Sequence, residues 1–262
     1  MGLMTFKNLW RALLVGLAFA SWMQTCHARV VSFSAVDRGW YSIFQSVPVN
    51  IPHNPNSLNY AAGRIGSQSF RNFFVFDLSG LQILDSQSVT AASFVLDTHV
   101  VATQEVVETV EFFDVTSPID DLLNGVFGSA GVSIFNDLGT GTSYGAQLYS
   151  ASDSFTQKSI ALNSFAIANI RNAAGSRFAI GGALVTPSSD TLVSTELICG
   201  DSEMGSSTIR LDLTIVPEPS TFALTASSLL ALSLIRRWGQ RHQANCRSAA
   251  EWAACRWCVV AV

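Results

Sequence analysis

Residues 29–215 contain one cysteine, two histidines and eight basic side chains, and each scarcity removes a class of function. A single cysteine, Cys199, excludes an internal disulfide, and a domain of roughly 190 residues is large enough to fold on its own core without one. His53, His99 and Cys199 are too few soft or borderline ligands for a structural zinc site. The eight basic residues face 17 Asp and Glu, a net of −9 that the whole-chain value of −4 conceals. Such a domain repels phosphate backbones, so nucleic acid is not an expected partner. Long apolar runs are missing too. The longest at either end, Ala12–Trp22 and Phe222–Ile235, have 11 and 14 residues, short of the ~20 that a stable membrane-spanning helix needs.

What is present at the ends is a pair of signals. Lys7 and Arg11 form a basic start, Ala12–Trp22 an apolar stretch, and Cys26-His27-Ala28 places small residues at the −3 and −1 positions of a cleavage point before Arg29. Residues 1–28 therefore read as a secretion signal peptide forming a short helix. Cys26 lacks the preceding Leu and small residue of a lipoprotein site, so lipidation is not expected. At the other end, Val216-Pro217-Glu218-Pro219 leads into the uncharged run 222–235, and Arg236-Arg237 closes it. The prolines stop a preceding strand and start a helix, and the arginine pair favours the cytoplasmic side, leaving the domain outside.

These three elements, in this order, resemble the PEP-CTERM sorting signal of Gram-negative bacteria that make exopolysaccharide. The resemblance implies that Pro217, Glu218 and Pro219 form the recognition triplet of an exosortase-like membrane enzyme. Arg236 and Arg237 are then the cytoplasmic stop, with residues 222–235 in the membrane. It implies a protein exported through the inner membrane, transiently anchored, and then delivered to the cell surface or extracellular matrix, with biofilm exopolysaccharide as a partner. The chain departs from that pattern by running on from Trp238 to Val262. Residues 239–262 carry Cys246, Cys255 and Cys258, lack metal-site spacing, and read as a disordered, atypical extension.

The middle, 29–215, reads as strands separated by Gly, Asn, Ser and Asp turns. Expected strands are 30–36, 39–45, 71–78, 89–98, 105–115, 144–150, 155–162, 177–185, 192–198 and 207–215. Ile209, Leu211, Leu213 and Ile215 alternate with Arg210, Asp212 and Thr214, giving one buried face and one wet one. Two short helices are expected, at 118–123 and at 163–174, the second capped by Asn163 and stopped by Gly175. The expected fold is all-β: an antiparallel, jelly-roll-like β-sandwich with one or two short helices, flanked by the signal helix and the C-terminal apolar helix. Asn59-Tyr60, Gly63-Arg64, the Arg71–Leu78 strand and the Val89–Leu96 strand also resemble the start of DNRLRE-type extracellular β-sandwich domains, which implies the same sandwich.

Chemistry-bearing patterns are sparse. Gly141-Thr142-Ser143-Tyr144-Gly145 matches a nucleophile-elbow spacing, but a strand-like segment follows where a helix is required. It reads as a Gly-rich hairpin loop. His53 reads as an exposed turn residue and His99 as a strand end. Asp120-Asp121 and Asp201/Glu203 offer hard oxygens suited to calcium but lack a calcium-loop spacing. No metal or cofactor is therefore expected. The function expected is that of a non-enzymatic surface or matrix protein. A carbohydrate-binding module using Trp40, Tyr41 or Tyr60 as a stacking contact is the alternative, and a hydrolase using Ser143 comes third.

Overall fold

The structure, a computed structural model, describes residues 28–44, 47–57, 59–83, 87–188, 195–200 and 209–217, together with Ser233 and Arg236. The chain divides into two compact units, Met1–Pro217 and Glu218–Val262. The signal stretch 1–27, Glu218, Pro219, Arg237, Asp201, Glu203 and the tail 239–262 lie outside the described residues, and so does the run 222–235 apart from Ser233. Among the described residues no helix is long and apolar enough to cross a membrane.

The first unit is all-β and antiparallel, a sandwich of two sheets. In chain order its strands are β1 (Arg29–Phe44), β2 (Val47–Ile51), β3 (Tyr60–Ile65), β4 (Gln68–Asp77), β5 (Gln87–Thr98), β6 (Val100–Ala102), β7 (Glu108–Asp114), β8 (Ser143–Tyr149), β9 (Thr156–Leu162), β10 (Arg177–Leu184), β11 (Thr195–Gly200) and β12 (Arg210–Pro217). One sheet runs β1-β12-β5-β9. The other runs β2-β1-β4-β10-β7-β8, with β3, β11 and β6 extending it from the start of β4. β1 serves both sheets: Arg29–Ser34 pairs with β12, and Ala35–Phe44 pairs with β4 after a register shift between Ala35 and Asp37. Asp37 and Arg38, expected to separate two strands, thus lie within one, and the irregularity falls at Val36 just before them. A bulge changes direction without ending the ladder.

Phe94 of β5 holds the sheets together. Its ring lies 4.8 Å from Phe74, 6.0 Å from Phe76 and 5.3 Å from Phe112, tilted or edge-on to each. These are favourable quadrupole arrangements on top of a large buried area. Leu96, Ile160, Leu211, Leu213 and Ile215 complete that interior.

Among the described residues, α1 (Ile119–Asn124) and α2 (Gly128–Asp137) lie within the β7–β8 connection of the second sheet, and α3 (Ser164–Asn172) links β9 of the first sheet to β10 of the second. The Asn163 side chain accepts from the backbone N–H groups of Phe165 and Ala166, the expected N-cap. Helices α1 and α2 form a third layer on the outer face of the second sheet. There Leu122, Ile134, Phe135 and Leu138 pack against Tyr41, Phe73, Val75 and Ala179.

Helix α2 was not expected from the sequence. Its first turn is Gly-Ser-Ala-Gly, with no side-chain cap, so neither propensity nor capping announces it. Tertiary contact requires the second glycine: a Cβ on Gly131 would stand 2.0 Å from Asn50 Nδ2, the atom that donates to the Val126 carbonyl at 2.8 Å. Strands β2, β3 and β6 were also unexpected. The last strand runs two residues further than expected, so Pro217 is paired with Gln87, a position a proline tolerates at a strand end.

Candidate functional site

The outer face of the second sheet is only partly covered by α1 and α2. Beyond the C-terminus of α2 it opens into a cleft of about 390 Å³. Its lining includes Ile43, Arg64, Ser69, Phe70, Arg71, Phe135, Asn136, Leu184, Pro187 and Ser188. Strand periodicity sets this composition. Arg71 falls on the outward row of β4 with Phe73 and Val75, but past the reach of the helices' apolar contacts.

Two arginines give the cleft its polarity, and they are held differently. Arg64 faces Glu196 across the β3–β11 ladder. Its Nε lies 2.9 Å from Glu196 Oε2, and the carboxylate side chain is wholly buried. The Ser188 N–H donates to both Glu196 oxygens at 3.0 and 3.1 Å. This charge pair neutralises itself. No carboxylate among the described residues lies within ion-pair distance of Arg71. Its Nη1 donates to the Phe135 and Asn136 carbonyls, both at 2.8 Å, which satisfies acceptors left over at the end of α2. Its Cζ stands 4.4 Å from the Phe135 ring centroid, a cation–π contact. Gly139 lies on its other flank, where a Cβ would come 2.4 Å from Arg71 Nε. Burial pulls the guanidinium below its ordinary pKa.

A second polar cluster lies in the interior below Arg64. Glu108, fully buried, accepts from Thr103 Oγ1 at 2.7 Å and Thr186 Oγ1 at 3.0 Å. Burial is the main cause of its raised pKa; the two hydroxyls oppose the rise, while the charges of Glu196 and Glu105 add to it. Tyr60 donates to the Asp97 carbonyl, and burial drives the Tyr60 and Tyr149 hydroxyls well above the usual phenol range. Burial favours the neutral form of each.

The residues expected from the sequence are not brought together. Tyr41 is 0 % exposed and Tyr60 1 %. The Tyr41 hydroxyl donates toward the Asp121 and Leu122 carbonyls at 3.1 and 3.0 Å. Neither ring has a face for a sugar to stack on, which corrects the expectation for both. Each is a core aromatic whose hydroxyl needs an internal acceptor. Trp40 is half-buried, with Phe70 edge-on at 5.2 Å.

His53 is also corrected, from exposed turn residue to buried side chain. It meets the Phe73 ring edge-on at 4.9 Å, with Nε2 3.5 Å from Asp37 Oδ2. His99 packs against Phe155 at 4.9 Å. Ser143 opens β8 and pairs with Phe113, and the Thr142 N–H before it donates to Asp114 Oδ1 at 2.6 Å. A strand therefore follows the serine, the geometry of a hairpin loop rather than of a nucleophile elbow. Asp120 and Asp121 occupy the first turn of α1, and Asp120 pairs with Arg177 at 2.6 Å. Among the described residues no group of three or more His, Cys, Asp or Glu is placed to hold a metal ion.

Ala28 and Arg29, flanking the expected cleavage point, are exposed. Arg29 opens β1 opposite Ile215 of β12. Pro217 closes β12, and Arg236 is exposed.

No protein-family model matches this chain. No curated protein matches it either.

Proposed function

We propose that the chain is an exported, non-enzymatic protein of a bacterial surface or matrix. In this reading it is trimmed at both ends, by a signal peptidase before Arg29 and by an exosortase-like membrane enzyme at Pro217-Glu218-Pro219. One observation carries the reading. The ladder of the first and last strands ends at the Arg29–Ile215 pair, and the last strand runs only two residues further, to Pro217, paired there with β5. Both processing points thus leave the fold side by side at one end of one sheet. Cutting before Arg29 or after Pro217 leaves every described strand pair intact.

The strand order supports a jelly-roll reading of the sandwich. The first strand lies beside the last in one sheet, β1-β12-β5-β9, while β4-β10-β7-β8 forms the facing set, and along these eight strands the chain crosses between the layers at every step except the β7–β8 hairpin. That topology also suits the DNRLRE-type resemblance. The carbohydrate-binding alternative loses Tyr41 and Tyr60 and keeps only Trp40 of its stacking residues.

The test is the intact mass of the protein from the membrane and from the medium of a Gram-negative host carrying an exosortase. A product beginning at Arg29 and ending within 216–219 supports the reading. Glu218→Ala with Pro219→Ala, which spares the Pro217–Gln87 pairing, is expected to accumulate as a membrane-retained precursor. A secreted product that still ends at Val262, or one unaffected by the double substitution, overturns it.

A further inference from the structure

We propose that the cleft beside Arg71 binds a small polar monocarboxylate of about hexose size, clamped by the Arg71 guanidinium. The inference goes beyond the sorting reading and does not depend on it.

The argument begins with charge. Among the described residues, Arg64, Arg177, Arg210 and Lys158 each lie within ion-pair distance of an Asp or Glu; Arg71 does not, and unlike the exposed Arg29 and Arg171 it is partly buried in a cleft. Yet the domain is rich in acid, and Arg71 is drawn out of water. It is stacked on Phe135, with Nη1 spent on two carbonyls. A planar guanidinium fixed in this way keeps the donors of Nη2 for a partner and loses little further side-chain entropy on binding one. Its free state bears a desolvation cost that an entering anion offsets.

Charge balance then selects the anion. Arg64 is already matched by Glu196, so among the described lining residues Arg71 is the positive charge that no described carboxylate meets. A monocarboxylate meets it and fits the fork geometry of guanidinium donors. An inorganic phosphate dianion would bring a second negative charge close to Glu196, and the other cation among the described lining residues, Arg64, is already paired with Glu196. The volume of about 390 Å³ lies in the range of small-molecule sites. Ser69 and Asn136 add a hydroxyl and an amide beside the Phe70 and Pro187 walls, groups that suit a ligand body bearing hydroxyls.

The test is calorimetric titration of the full chain with D-glucuronate, D-glucose and inorganic phosphate as probes. Glucuronate is expected to bind at least about tenfold more tightly than glucose, the worth of one charge-assisted hydrogen bond, and to weaken with added salt. Arg71→Gln keeps a donor for the α2 carbonyls but removes the charge, and about tenfold or more of the glucuronate affinity is expected to go with it. Gly139→Ala leaves the guanidinium in the chain but displaces it, and a loss in the same direction is expected. The wild-type comparison of glucuronate with glucose decides the matter even if a variant fails to fold. The proposal is overturned if glucuronate does not bind, if it binds no better than glucose, if phosphate binds more tightly, or if a folded Arg71→Gln binds as the wild type does.

Discussion

β12 and β4 are antiparallel strands of similar length in the same sandwich, and they are buried in different ways. In β12, Leu211, Leu213 and Ile215 are buried while Arg210, Asp212 and Thr214 are not. In β4, five successive residues from Asn72 to Phe76 are buried. β12 belongs to a sheet with one face on the core and one in water. β4 lies between the inter-sheet core on one face and the α1–α2 layer on the other. Alternation marks the two-layer part of the molecule, and the Phe73-Phe74-Val75-Phe76 run marks the three-layer part.

The largest expected effect comes from the inner face. Phe94→Ala removes the ring that three phenylalanines of the facing sheet contact, and is expected to cost about 3–5 kcal/mol. Chemical denaturation should show one cooperative transition at a lower midpoint, because both sheets depend on the same cluster. On the outer face, Leu138→Ala is expected to cost about 2–3 kcal/mol, since a helix layer collapses around a cavity more readily than paired sheets do. Native-state hydrogen exchange separates the cases. Leu138→Ala should expose the amides of 119–138 first, and uniform loss of protection across the strands would show that the third layer is no separate unit.

The same contrast explains what the sequence disclosed. Period-two patterning and dense β-branched and aromatic runs announced the strands at β4, β5, β9, β10 and β12, and Asn163 announced α3. The third layer was not legible. Helix α2 has a glycine-rich start whose reason is Asn50, a residue 81 positions earlier in the chain than Gly131. The cleft was equally hidden, because Arg71 is read locally as a polar residue in a strand. Its meaning comes from the α2 carbonyls and from the carboxylates that are not beside it. The burial of Tyr41 and Tyr60 follows from the helix layer and from the β3–β11 extension, neither visible locally.

The buried Glu108 at the edge of the inter-sheet core offers a pH test of the polar packing there. Burial raises the Glu108 pKa above its unfolded value, so the folded state holds a proton that the unfolded state has released. Stability should therefore fall as pH rises from the ordinary glutamate range through the raised value. Glu108→Gln removes that loss. Midpoints for the wild type should decline across this window while those of the variant stay flatter, and parallel curves would remove the burial argument. A smaller effect belongs to the α3 cap. Asn163→Ala leaves the Phe165 and Ala166 N–H groups without their acceptor and is expected to cost about 1 kcal/mol, read from the thermal midpoint.

The smallest expected effect concerns what fastens α1 to the sheet. Asp120 reaches Arg177 of β10 at 2.6 Å, a charged link between the helix layer and the strands beneath it. Both side chains are substantially exposed, at 73 % and 41 %, so water and salt screen the pair and ordering two side chains offsets part of the gain. Asp120→Asn is therefore expected to cost less than about 1 kcal/mol, and the difference should shrink further in high salt. Leu122, fully buried two residues along the same short helix, is the contrasting position, and Leu122→Ala should cost about 2–3 kcal/mol in the same assay. If the two substitutions proved equal, the outer layer would be held by charge rather than by burial, and the division between β4's two apolar faces and β12's one would lose its physical basis.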